Sequence, residues 1–159
     1  MAAAARAHPA GRYAVASAAD LPLEDGTVDV AVDVFGPVMA EELARVVRPG
    51  GLVVAAHPGP EHLEDLRTLV YDNPRPHVVK SPLRAATAWF VETGTASIRF
   101  PVVVTDVEQL GDLFAMTPYR WHAPHDIHAR LAAAVAPRFE TGADVQVTTY
   151  RRIARSPSG

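Results

Sequence analysis

Val28 to Phe35, VDVAVDVF, alternates branched apolar residues with acidic or small ones and stops at Gly36-Pro37, which predicts a strand followed by a turn. Met39 to Val47 then sets Leu43, Val46 and Val47 on one helical face. Pro49 cannot continue a helix, Gly50 and Gly51 permit positive φ, and Leu52 to Ala56 is a short all-apolar run. His62 to Tyr71 returns to helical period through Leu63, Leu66, Leu69 and Val70. Strand, helix, turn, strand and helix in this order predict an α/β fold, with a twisted parallel sheet covered by helices on both faces.

The flanks are less regular. Residues 2–8 read as the end of an Ala-rich helix stopped by Pro9 and Gly11, and Tyr13 to Ala16 as a short strand leading into a loop at Asp20-Leu21-Pro22. Residues 72–98 carry prolines and no long period, and are expected to form an insertion or cap. Strand character returns from Ile98 to Val104, helices follow over Val107–Met116 and His125–Val135, and Val145 to Ile153 alternates as a final strand. Residues 156–159 are expected to be a disordered tail.

Composition narrows the classes. At 159 residues and a net charge of −3, the chain is long enough for a real core and lacks the basic excess common in nucleic-acid binders. It has no cysteine, which excludes disulfides and thiolate zinc sites within these residues. No apolar run approaches the roughly 20 residues that span a bilayer, and the opening Met1 to Arg6 is too short for a signal-peptide core. A cytoplasmic protein with no membrane partner is expected.

Three blocks carry a resemblance: ASAADLPLEDGTVDVAVDVFGPV, AEELARVVRPGGLVVAAHPGPEHLEDLRTLVYDN and LFAMTPYRWHA. Together they resemble the bacterial 23S rRNA (guanine-N1) methyltransferases, a class-I family that includes enzymes conferring macrolide resistance. ELARVVRPGG is shared by many methyltransferases, whereas PGPEHLEDLRTLVY and the segment Met116 to Trp121 are specific to this family. The resemblance runs from about Ala2 to Arg152 and implies residues 1–155 as the C-terminal portion of a methyltransferase domain, S-adenosyl-L-methionine as cofactor and 23S rRNA as partner. The family sheet is expected in the order 3-2-1-4-5-7-6, with strands 3 to 7 in this chain. Neither the family's N-terminal zinc module nor its glycine-loop strand occurs in these residues. Without strands 1 and 2, VDVAVDVF is expected to present an open apolar edge, met by the Tyr13 segment, by self-association or by a partner.

The resemblance assigns roles to particular residues. Asp20 and Leu21, after the third strand, are where the class sets a polar side chain and a backbone amide against adenine; a turn aspartate is the alternative. His62 ends the fifth strand on the sheet edge where open α/β folds bind ligands, and is carried over as a cofactor contact; otherwise it is a first-turn helix residue. Phe35 and Pro37, around Gly36, end the fourth strand, where an aromatic can stack on a target guanine or simply close a core strand. Asp33 is weighed as a general base, with an arginine partner expected if it is buried. Tyr119, Arg120 and Trp121 suit stacking on unpaired bases and phosphate contact; the alternative buries Met116 and Trp121. His122, His125 and His128 invite a metal reading but lack a full ligand set, so no metal is expected. Arg151, Arg152 and Arg155 are offered as RNA contacts or as a solvated basic terminus. No residue is named as catalytic. The readings left open are an rRNA methyltransferase, a catalytically incomplete fragment or partner-dependent subunit, and a small-molecule methyltransferase.

Overall fold

The computed structural model describes residues 6, 8–74, 81, 83–135 and 137–154. The expected tail at 156–159, Arg155, most of the 2–8 helix and part of the 72–98 segment lie outside the described residues. In chain order the elements are β1 (Val28–Val34), α1 (Ala40–Val46), β2 (Val47–Pro58), α2 (Glu64–Val70), β3 (Phe90–Val104), α3 (Val107–Ala115), a 3-10 turn (Pro118–His122), α4 (Ile127–Ala134) and β4 (Phe139–Arg152).

The strands pair in the order β1-β2-β4-β3. That is the 4-5-7-6 arrangement the resemblance implies for the latter part of the sheet. β1 and β2 are parallel, as a helical crossover such as α1 requires. Val28 pairs with Val47 but Val30 pairs with Leu52, so Arg48 to Gly51 bulge out opposite Asp29. Gly50 takes φ 80°, and a Cβ on Gly51 would meet the Asp29 carbonyl at 2.9 Å. The Arg48 guanidinium closes the bulge on the Asp29 carboxylate at 2.6 Å. The Pro-Gly-Gly turn is thus absorbed into the start of β2. β4 runs antiparallel to its neighbours: the Ile153 amide donates to Trp89 O beside β3, and Gly59 and Leu63 donate to Asp144 O and Gly142 O beside β2.

The described residues divide into two compact units, one of residues up to 56, 81–95 and 148–154, the other of 57–74 and 96–147. The first buries Val46, Val47, Val53, Phe90 and Tyr150, and the Tyr150 hydroxyl shares a hydrogen bond with Ser81. Arg152 Nε donates to the Ala44 carbonyl at 3.1 Å, one of the acceptors that the end of α1 leaves unpaired. That bond ties Arg152, read as an RNA contact or a solvated end, to the fold. The second unit packs α2 and α3 against α4 around Leu66, Leu110, Phe114, Leu131 and Phe139. No helix among the described residues is long and apolar enough to cross a membrane.

Three expectations need correction. Tyr13 to Ala16 does not join the sheet; the only bridge nearby among the described residues is Ser17 with Asp20. A strand is held by its neighbours' ladders, and the family order puts strands 1 and 2 between this segment and β1. β1 therefore forms a sheet edge with Val30, Val32 and Val34 exposed. β3 begins at Phe90 rather than Ile98, so residues 90–98 of the expected cap are strand. Its side chains from Val91 to Pro101 are exposed, which is why no buried-face alternation marked it. β4 likewise starts at Phe139, not Val145.

Candidate functional site

In the first unit, the Leu21 to Asp25 loop is gathered by α1. Arg45 donates to Leu21 O at 3.0 Å, to Leu23 O at 2.8 Å and to the Asp25 carboxylate at 2.7 Å. Its Nη2 and Nε also grip Glu42 at 2.6 and 3.0 Å, a bidentate pair. The bond from Arg45 holds the Glu42 carboxyl down at about 2, helped by the Leu21 amide, which donates to Glu42 Oε1 at 2.7 Å. The Leu21 N–H expected to face adenine is therefore used within the fold. The Leu21 side chain instead lines a cavity of about 360 Å³ with Val28, Asp33, Pro37 and Leu43. Asp20 is exposed and outside the lining of this cavity, in a loop closed by its own amide donating to Ser17 O at 3.1 Å.

At the carboxyl end of β1 the backbone turns sharply. Phe35 donates to Ala56 O at 2.9 Å and takes φ 56°, a left-handed conformation that costs a non-glycine residue about 1–2 kcal/mol. Its side chain is 50% exposed. Among the described residues Asp33 has no arginine partner; its Oδ1 accepts from the Gly36 amide at 3.0 Å. Asp33 and Pro37 thus share the cavity with Leu21, and Phe35 stands between them in sequence.

In the second unit, the turn from Gly59 to Leu63 is pinned by β4. Asp144, 3% exposed, accepts from the Glu61 amide at 3.1 Å and from Arg99 Nε at 3.2 Å, while Arg99 Nη1 reaches Glu61 at 3.0 Å. A Cβ on Gly59 would lie 2.4 Å from the Asp144 carboxylate, so this approach needs glycine. His62 Nδ1 is 2.9 Å from the Asp144 carbonyl. A carbonyl only accepts, so Nδ1 carries a proton. Glu61, Arg99 and Asp144 border a cleft of about 550 Å³ with Glu64, Asp65 and Glu140, and His62 is not in its lining.

The 3-10 turn sits on the same unit. Thr117 Oγ1 donates to Phe114 O at 2.8 Å and accepts from the Tyr119 amide at 3.3 Å, and Pro118 sets the first turn residue. Met116 is 85% and Trp121 70% exposed, so the alternative that buries them is overturned. The Arg120 guanidinium stacks on the Trp121 ring at 4.3 Å. Tyr119 turns the other way: it meets Tyr71 edge-on at 5.8 Å and packs on the core. Burial pushes its hydroxyl up, partly offset by the Arg67 charge.

His122, His125 and His128 are exposed, and no group of three or more His, Cys, Asp or Glu among the described residues is placed to hold a metal ion. Asp126 is engaged by Arg130 at 3.0 Å, which lowers its carboxyl pKa. Sequence reasoning missed Glu42, Arg45 and Asp144. The first two carry a signal, acid and base three apart on a helix; Asp144 carries none, because its partners lie on β3 and after β2.

No family model matches the chain. It is 34% identical over 150 residues to the 23S rRNA (guanine(748)-N(1))-methyltransferase of Streptomyces fradiae, covering 93% of this chain and 53% of that protein. A Micromonospora griseorubida protein, provisionally named a 23S rRNA (guanine-N1) methyltransferase, is 37% identical over 156 residues, 94% of this chain and 51% of that one. The chain spans about half the length of these curated relatives. Among solved structures, a provisionally named methyltransferase of Bacillus halodurans matches with a TM-score of 0.56 at 12% identity, over 94% of this chain and 86% of that one. YcgJ of Bacillus subtilis matches at 0.54 and 14%, over 96% and 76%. The fold is that of the α/β methyltransferases, and the chain is a homologue of the 23S rRNA (guanine-N1) methyltransferases that spans about half their length.

Proposed function

We propose that this chain is the target-facing and adenine-facing part of an S-adenosylmethionine-dependent methyltransferase acting on N1 of a guanine in 23S rRNA. The observation that carries the reading is the exposed turn bearing Arg120 stacked on Trp121. A cation held flat on an exposed indole offers a face to an unpaired base and a charge to its phosphate. The relatives' names supply the substrate class.

The residues present fit one end of the cofactor. The cavity of about 360 Å³ lies within the roughly 300–1,000 Å³ of small-molecule sites. It has apolar walls at Leu21 and Pro37, and Asp20, next to Leu21 in sequence, is taken from the resemblance as an acceptor for an exocyclic amine. In the second unit, His62, whose Nδ1 is held by the Asp144 carbonyl, is taken from the resemblance as a cofactor contact. When bound, the cofactor supplies an electrophilic methyl group on sulfur. Each unit contributes separately: Phe35 in the first by stacking on a base, Arg120 and Trp121 in the second by gripping unpaired RNA, with positioning carrying the rate. The exposed β1 edge favours a second reading, in which the chain works with a partner that covers Val30, Val32 and Val34.

Calorimetry with S-adenosylhomocysteine and fluorescence anisotropy with a 23S hairpin test this. Micromolar cofactor-product binding weakened by His62→Ala, and RNA binding weakened by Trp121→Ala, are expected. A folded sample that binds neither would leave the partner-dependent reading.

A further inference from the structure

We infer that Asp33 is a positioning residue for Phe35: its carboxylate clamps the turn at the end of β1 and so fixes the ring that meets the target base. This rests on the reading that Phe35 faces that base.

Phe35 is one of two described non-glycine residues with positive φ, and the only aromatic one. Such a conformation persists only where surrounding bonds over-determine it. Here they do so from both sides. The Phe35 amide is held by Ala56 O at 2.9 Å, extending the β1–β2 ladder one step past Val34 and Ala56. The next amide, of Gly36, is held by Asp33 Oδ1 at 3.0 Å. The carboxylate lies so close that a Cβ on Gly36 would sit 2.4 Å from Oδ2, and Pro37 then restricts the exit. Loss of the clamp lets φ relax to negative values, which swings the Cα–Cβ bond and the half-exposed ring with it.

The arrangement also decides what Asp33 does not do. Oδ1 is committed to an amide and the carboxylate is turned into its own backbone, a geometry for holding a turn rather than for collecting a proton from a base. The chemistry it serves is stacking on a flat heterocycle, and an asparagine, which keeps the acceptor oxygen, should serve nearly as well.

The test uses the full chain with two loop RNAs, one carrying the guanine and one with an abasic site there. Anisotropy gives both affinities, calorimetry gives S-adenosylhomocysteine affinity, and amide NMR gives the Phe35 coupling constant and the Gly36 shift. Asp33→Ala is expected to lower guanine-RNA affinity about tenfold, the size of one lost stack, with abasic-RNA and cofactor-product affinity unchanged. Asp33→Asn should restore most of it. Gly36→Ala should reproduce the loss, and the double variant should be no worse than either single one, because both break one contact.

Wild-type discrimination by Asp33→Ala, or an Asp33→Asn variant as poor as Asp33→Ala, would overturn the inference if Phe35→Ala still loses discrimination. If Phe35→Ala also leaves guanine and abasic RNA as the wild type has them, the reading of Phe35 itself fails and the inference falls with it. A Phe35 coupling constant unchanged in Asp33→Ala would refute the clamp whatever the RNA does.

Discussion

In the first unit a guanidinium gathers the loop that carries a candidate cofactor residue: Arg45 reaches three residues of the Leu21 to Asp25 segment and is paired by Glu42. In the second unit a carboxylate does the same work: Asp144 holds the Glu61 to His62 turn through the Glu61 amide, with Arg99 as a cationic partner. The Arg45 network is charge on charge, buried at Glu42 and wetted where Arg45 meets Asp25. Asp144 is buried, with its main-chain carbonyl bonded to Gly59 and to His62. A wetted ion pair responds to pH and loses little when water replaces a partner. A buried acceptor has no such substitute, so its removal strands the donors it served.

Four experiments break or sharpen that contrast. Asp144→Ala should have the largest effect, a loss of about 3 kcal/mol in urea unfolding, because the Glu61 amide and the Arg99 guanidinium lose an acceptor that is itself buried. A loss below about 1 kcal/mol would make the two clamps equivalent. Gly59→Ala should cost about 2 kcal/mol by the same assay, since the new methyl overpacks against the Asp144 carboxylate; full stability there would show the turn to be adaptable.

Glu42 should act through pH. Its carboxyl is held at about 2 against an ordinary 4.5, so the unfolded chain binds the proton first and the pair's contribution is complete above about 4.5. It is lost as pH falls toward about 2. Glu42→Gln should lower the neutral midpoint and flatten this acid limb, wild type and variant converging as pH falls toward about 2, as followed by circular dichroism. An unaltered limb would mean that another group governs acid unfolding. Trp121→Ala should have the smallest effect on stability, within about 0.5 kcal/mol, because the ring is exposed. A larger loss in thermal unfolding would return Trp121 to a structural role.

Legibility in the sequence followed burial and locality. α1, α2, α3 and α4 were readable to within a few residues because each repeats apolar positions at helical spacing against a core. β1 was readable as a strand from its composition, although the alternate valines lie exposed. The first part of β3 was not readable, because exposed side chains carry no burial period. The strand expected at Tyr13 was misread for the opposite reason: a short apolar run has strand propensity anywhere, but only a neighbouring ladder makes it a strand.

The same division applies to the site. The sequence alone pointed to the class of fold, and the resemblance written in its local motifs singled out Asp20, Leu21, Phe35, Pro37, His62 and Tyr119 to Trp121, since such motifs occupy adjacent positions. Only the tertiary structure decided which atoms of those residues are available. It engaged the Leu21 amide with Glu42, turned Tyr119 toward Tyr71 and Trp121 to solvent, and brought Asp144 under His62. Hydrogen bonds between residues far apart in the chain depend on how the strands and helices pack, and no local pattern encodes that meeting.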